Sequence, residues 1–503
     1  MRGLHILGLL MTLAACTSEP VVSPVSRPGA PLSFFPASGA RNVNPDTHLV
    51  LTFASEPKVG DTGLIRIYDA KDNALVDTLD LSIPTSPNPS GRGAAQVAGE
   101  PPPKAAVISD VYQETDVGGQ PFHFRPIIVH GKTATIYPHN HALSYGHTYV
   151  VRMDPSVLTA AEGDFAGLNG EAWTFATKPS GPAANATRVS VSADGRGDFS
   201  TVQGAIDFFP ATASSGASAP REISIRKGDY EEIVSINGKS NLILRGEDRE
   251  GVKVGYANNT PFNPQRRWAF SIINGADIQL SNFTLNNYAI GQAEALMTRG
   301  EHIILDHMTL NGSGDAMTTY GTLYMADSKL TGDGDTILGY AAAYYLRTEV
   351  RSKGPITWTR NPEGSHGNVF VDSTLIGVRE PLPWTVTQTD PGRIAPTPFA
   401  RLPHNGKPDV AANFPYAEMV LINCRTQNIP PEGWGPIEEN GPLFSRANLR
   451  FMEYNTMDLD GRPVDTSMRT PVSRQLTLPK DAQVIANYSN PEFVLGGWKP
   501  VVR

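Results

Sequence analysis

Six short segments recur along the second half of the chain: LSNFTL from Leu280, LDHMTL from Leu305, MADSKL from Met325, LRTEV from Leu346, VDSTL from Val371 and LINCRT from Leu421. Their first residues are separated by 25, 20, 21, 25 and 50 residues. A period in the low twenties, with strand-forming residues at each recurrence and one stretched interval, predicts a β-solenoid whose rungs stack along a common axis. Positions one period apart then lie ~4.8 Å apart, the ordinary spacing of paired strands. Asp315 and Asp335 are 20 residues apart in this register, which makes them predicted neighbours. Two carboxylates that close push one toward the neutral acid while the other stays charged, the arrangement acid/base chemistry needs. Asp327 and Asp372 read instead as turn residues that satisfy backbone.

The same region carries motifs in a fixed order: Gln292-Ala-Glu-Ala-Leu296, Gly312-Ser-Gly-Asp315, Gly332-Asp-Gly-Asp-Thr-Ile-Leu-Gly339 followed by Tyr340-Ala-Ala-Ala343, Phe399-Ala-Arg401-Leu-Pro403, and Pro431-Glu-Gly-Trp434. Together with the opening Val191-Ser-Ala-Asp-Gly-Arg-Gly-Asp-Phe-Ser-Thr-Val-Gln203, they resemble the pectin methylesterases (pectinesterases) over residues 188–503. The resemblance implies a right-handed parallel β-helix and a carboxylic ester hydrolase that removes methyl esters from galacturonate in pectin, without a metal or organic cofactor. It implies Asp335 as the nucleophile and Asp315 as the general acid/base. Arg401 would orient the nucleophile and Gln292 would stabilise the oxyanion. The sequence departs from the family where a second glutamine is replaced by Gly314, where aromatic positions hold Thr336 and Leu338, and where a tryptophan is replaced by Pro403. Ser313 or Thr318 could take over the missing donor, and Trp358, Trp384 and Phe399 are candidate sugar-stacking residues. A different uronate ester, an inactive lipid-anchored carbohydrate-binding solenoid and a polysaccharide lyase are the competing readings.

Composition limits the rest. The 503 residues are 40% hydrophobic and 18% charged, enough apolar sequence for two or three domains with real cores. A net charge of -8 argues against a nucleic-acid partner. Residues 1–16 have a basic Arg2, a short apolar run and the lipobox-like Leu13-Ala-Ala-Cys16, so Cys16 is the expected lipidation site of a Gram-negative outer-membrane lipoprotein, followed by a tether over 17–30. Cys424, the other cysteine, reads as a buried thiol. Residues 31–178 alternate short strands and turns, the pattern of a β-sandwich of bacterial immunoglobulin-like type, with no chemistry visible in it. Within that stretch Ser86 to Gly119 reads as a mobile insertion, and His139, His141 and His147 as solvated loop residues without a carboxylate at ligand spacing. Residues 179–187 form a linker, after which Thr201 to Phe209 shows helical spacing with Ser200 or Thr201 as the cap. A monomer is expected, attached to the membrane by its lipid anchor only.

Overall fold

The computed structural model describes residues 29–89, 107–160, 163, 165–212, 220–379, 396–401, 414–435 and 448–503. Cys16, most of the tether, Trp384 and most of the proline-rich stretch after Val371 lie outside the described residues. The fold is all-β apart from a few short helices: a mainly antiparallel two-sheet sandwich followed by a parallel β-helix. In the sandwich, strands Ser33–Phe35, Leu49–Thr52, Thr133–Ile136 and Ile127–His130 form one sheet. Strands Ala40–Val43, Thr174–Thr177, Thr148–Met153, Leu64–Asp69 and Leu75–Asp80 form the other. Leu49 and Leu51, like Ile65 and Ile67, alternate inward with partly exposed neighbours, and Trp173 fills the core.

Each rung of the β-helix contributes to parallel sheets that run the length of the coil. Leu280, Leu305, Met325, Tyr345, Phe370 and Leu421 pair in one inward column, all completely buried. The repeat is therefore offset by one residue from the sequence reading at two rungs, where Tyr345 and Phe370 hold the places assigned to Leu346 and Val371. Rung length explains the slip: one turn lengthened or shortened by a residue is invisible in an apolar run, but it flips every side chain to the other face. Tyr345 and Phe370 stack at 4.4 Å between ring centroids, 11° from parallel, which adds ~0.5–1.5 kcal/mol to their burial. Two residues further on, a second column turns the chain: Asn282, His307, Asp327, Arg347, Asp372, Asn423 and Asn455 all have φ between 47 and 61°. Short polar side chains tolerate this left-handed conformation best. Arg347, the exception, is clamped by both carboxylate oxygens of Asp327 at 2.7 and 2.6 Å.

The helix Val202–Phe208 closes the open end of the coil with Val202, Ala205 and Ile206 turned into the core. Thr201 caps it, its Oγ1 accepting from the Gly204 N–H. Asp46 of the sandwich accepts from the Ser200 and Thr201 N–H groups and from the Thr201 hydroxyl, at 2.8–2.9 Å. His141 and His147 are exposed and His139 is half-buried, but each has a carboxylate partner: His139, His147 and His141 pair with Asp77, Asp69 and Asp207 at 2.7, 2.6 and 3.4 Å. Each has its own carboxylate from a distant part of the chain, which sequence spacing could not show.

The insertion is also more ordered than expected where it is described. Glu114–Asp116 and Pro121–His123 form an antiparallel hairpin, and its Val117 and Phe122 pack with Ile233, Tyr256, Phe262 and Ala269 of the β-helix.

Candidate active site

The outer face of one parallel sheet forms the floor of a cleft. Strands Val234–Asn237, Phe270–Ser281, Leu296–Asp306, Met317–Ala326, Ile337–Gly339, Thr357–Thr359 and Ala400–Arg401 succeed one another along it. Side-chain alternation then generates columns. Phe270, Leu296, Met317 and Ile337 point into the core. One outward column runs Ser271, Met297, Thr318, Leu338, Trp358, Arg401, and a second starts Ile273, Arg299, Tyr320. Tyr340 and Arg360 continue the second column, their N–H groups bonded to the carbonyls of Thr319 and Gly339. Met297, Thr318 and Leu338 of the first column and Ile273, Arg299, Tyr320, Tyr340 and Arg360 of the second, with Arg266, Arg267, Trp268 and Glu294, line a cavity of about 450 Å³.

Asp315 and Asp335 lie at the edge of this floor, each two residues before the paired Met317 and Ile337, so they are one rung apart. Asp335 Oδ2 accepts from Arg401 Nη1 at 3.2 Å, while its buried Oδ1 has no hydrogen-bond partner among the described residues. Burial raises the Asp335 carboxyl above its usual range, against the pull of Arg401 and Arg360. Arg401 thus only partly offsets desolvation. It sits two rungs beyond Asp335, not the three implied by 66 residues of separation, because the last interval is stretched by inserted chain.

Asp315 is pushed up to about 7, first by burial, then by the adjacent Glu294, against the pull of Arg267 and with a further upward push from Asp335. Arg267 joins the two acids: its Nε donates to Glu294 Oε1 and its Nη2 to Asp315 Oδ2, both at 2.7 Å. Thr318 Oγ1 also donates to Glu294 Oε1, at 2.9 Å, and is therefore committed to positioning that acid.

Several predicted site residues stand elsewhere. Gln292 is exposed in a left-handed turn with φ of 47°; Glu294, 21 residues before Asp315, occupies the matching rung position. Phe399 is fully buried against Trp434 in the core, one residue before the strand Ala400–Arg401 begins, and the outward position of that strand falls to Arg401. Trp358 does face outward, but the guanidiniums of Arg360 and Arg401 lie over its ring at 3.3 and 3.9 Å, making it a platform for arginines instead of sugar. Thr336 is buried and bonded to Ser352 Oγ at 2.6 Å, so its replacement of an aromatic residue removes nothing from the cleft. The aromatic surface that is available comes from Trp268 and from Tyr320 and Tyr340, stacked at 4.4 Å and 6°. Among the described residues, one group could hold a metal, Asp306, His307 and Asp327; it lies on the turn column, with Asp327 already clamped by Arg347.

Gly314 is held by geometry. Its φ is +74°, its N–H makes a very short bond to Asp333 Oδ1, and a Cβ there would lie 2.8 Å from the Gln292 nitrogen. A side chain in this conformation costs ~1–2 kcal/mol, and accommodating the overlap costs ~1–3 kcal/mol more. Gly314→Gln is therefore expected to lower the melting temperature by on the order of 5–10 °C and to lower activity as well. A rise in turnover at an unchanged melting temperature would show instead that an amide was simply missing.

A family model for pectinesterases matches residues 188–372. Over that stretch the chain is similar to the pectinesterases. A pectinesterase from Ralstonia nicotianae is 28% identical over 192 residues, 31% of this chain and 48% of the relative. Pectinesterase 31 of Arabidopsis thaliana is 26% identical over 209 residues, 38% of this chain and 65% of the relative. The chain thus spans about half the length of the first relative and under two thirds of the second. A solved pectin methylesterase from carrot is similar with a TM-score of 0.49 at 21% identity, covering 63% of this chain and 95% of that one. The pectinesterase match contains Asp315 and Asp335 but ends before Arg401.

Proposed function

We propose that the pectinesterase-like domain hydrolyses methyl esters of galacturonate units in pectin through an aspartyl acyl-enzyme. The observation that carries this reading is the pairing of Asp315 and Asp335 one rung apart, with Arg401 on the second, at the rim of a cleft lined by Arg266, Arg267, Arg299 and Arg360. In a chain of net charge -8, that concentration of guanidinium groups is local and suits an acidic polysaccharide.

In this scheme the unpartnered Asp335 Oδ1 attacks the ester carbonyl carbon. The C–OCH₃ bond breaks as the methoxy oxygen takes the proton of Asp315, giving methanol and an anhydride between Asp335 and the sugar carboxyl. Water then attacks the sugar acyl carbon, its proton passes to Asp315, and the bond to Asp335 breaks. With Gly314 contributing only backbone, Arg267 and Arg360 are the cations that act electrostatically on Asp315 and oppose the negative charge that develops.

Methanol release from methyl-esterified galacturonan by the full chain tests the reading. We expect methanol without an ultraviolet-absorbing unsaturated product. Such a product would point to a lyase, and retention on galacturonan without methanol to a binding solenoid.

A further inference from the structure

The cleft floor continues one rung beyond the cavity, to Val234–Asn237, where Ser235 pairs with Ser271 of the first outward column and Asn237 with Ile273 of the second. The hairpin from the N-terminal sandwich is seated there. Its turn is Val117-Gly118-Gly119-Gln120, with φ of 60 and 80° at the two glycines and mutual backbone bonds between Val117 and Gln120 at 2.8 and 3.3 Å. Two consecutive positive φ values are what a two-residue hairpin needs, and Gly-Gly supplies them. The turn fits its seat closely: Asn237 Nδ2 donates to the Gly118 carbonyl at 3.0 Å, and a Cβ on Gly118 would stand 2.7 Å from the Ser235 carbonyl oxygen.

The strands behind the turn are anchored independently. Phe122 is fully buried, the Asn263 amide bonds both the N–H and the carbonyl of His123 at 2.7 and 3.0 Å, and Arg266 donates to the Pro121 carbonyl at 3.1 Å. Arg266 and Gln120 both line the cleft cavity.

We propose that this hairpin is an end wall of the saccharide cleft, and that Gln120 at its tip is a specificity residue contacting the terminal sugar unit on that side. The inference rests on the esterase reading and adds to it a limit on substrate length. Three rung steps, Val234–Asn237 to Phe270, Leu296 and Met317, separate the wall from the rung of Asp315. At the ordinary strand spacing that is ~14 Å, room for a short run of sugar rings and not for a continuing polymer. Gln120 offers an amide donor and acceptor to hydroxyl or carboxylate groups. The substrate class is thus a short methyl-esterified oligogalacturonate, or the end of a longer chain, presented by an upstream depolymerising reaction.

The test uses the full chain and compares kcat/KM for methanol release from methyl-esterified galacturonate oligomers of increasing length and from the long polymer. The wild type is expected to favour short oligomers over polymer by at least about tenfold per methyl ester, since only chain ends of the polymer reach the site. Gln120→Ala should raise KM for the short oligomers about three- to tenfold with kcat within about twofold. Gln120→Trp, which enlarges the wall without touching its anchors, should shift the optimum to shorter oligomers. A merely structural role for the hairpin would move kcat and melting temperature without changing the length profile. An unchanged profile in both variants, or a wild type that prefers internal esters of long polymer, would overturn the proposal while leaving the esterase reading intact. A wild type that releases no methanol from any substrate would remove the esterase reading, and this inference falls with it.

Discussion

Asp335→Asn should reduce turnover on methyl-esterified galacturonan by at least about a thousandfold while the protein stays folded. The substitution keeps the volume of the side chain and an oxygen for Arg401, but it removes the electron-rich Oδ1 that lacks a hydrogen-bond partner among the described residues. Folding is retained because the partner left behind, Arg401, is half-exposed and stays solvated, and because burial already disfavours the ionised form of Asp335. Asp333→Asn is the informative control. Asp333 is two residues upstream and ties two rungs together through Ser313 Oγ and the Gly314 N–H. Its replacement should act mainly on stability. Equal losses of turnover in both variants at matched folded fraction would mean that the nucleophile is not Asp335.

The architecture was legible because a solenoid writes its period into the sequence. Leu280, Leu305 and Met325 were placed in register, and the 20-residue step from Asp315 to Asp335 matches the paired Met317 and Ile337. What the period cannot supply is parity. Phe399 lies just before the strand Ala400–Arg401, outside its alternation, and packs inside, whereas Trp358 and Arg401 share the outward column. Glu294 is open to the same counting, 21 residues before Asp315, whereas the family motif points to Gln292. Arg267 and Arg360 were not legible from spacing, since each acts across rungs of unequal length. The hairpin at Gly118-Gly119 did carry a local signal, two glycines between strand-compatible residues, that was hidden by the polar insertion around it. Its docking partner, Val234–Asn237, is more than 100 residues away.

Glu294 and Arg267 should control the alkaline side of the pH–rate profile, and in opposite directions. One guanidinium bridges two buried carboxylates, with Glu294 only 1% and Asp315 14% exposed, which leaves an excess negative charge where solvent cannot compensate it. The pair relieves this by keeping a proton, and both acids are raised, first by burial, against the pull of Arg267. Asp315, pushed up to about 7, therefore still carries the proton that departing methanol needs near neutral pH. Glu294→Gln removes the neighbouring negative charge, so the alkaline limb of kcat should move down by about one pH unit or more. Arg267→Gln removes the opposing positive charge, so the limb should move up. The second variant should also lose about 3–5 kcal/mol of stability where both acids are ionised, because each has lost its partner. The sign of the stability change with pH follows from the raised folded-state value. Below the unfolded range near 4 both states are protonated and nothing is lost; as pH climbs toward about 7 the unfolded state gives up its proton first, and the native protein is progressively destabilised. That fall in melting temperature between about pH 4 and 7 should be shallower in Glu294→Gln and steeper in Arg267→Gln. Limbs that move in the same direction in the two variants, or melting curves whose pH dependence is unchanged, would show that Asp315 is not the proton carrier these two residues hold in place.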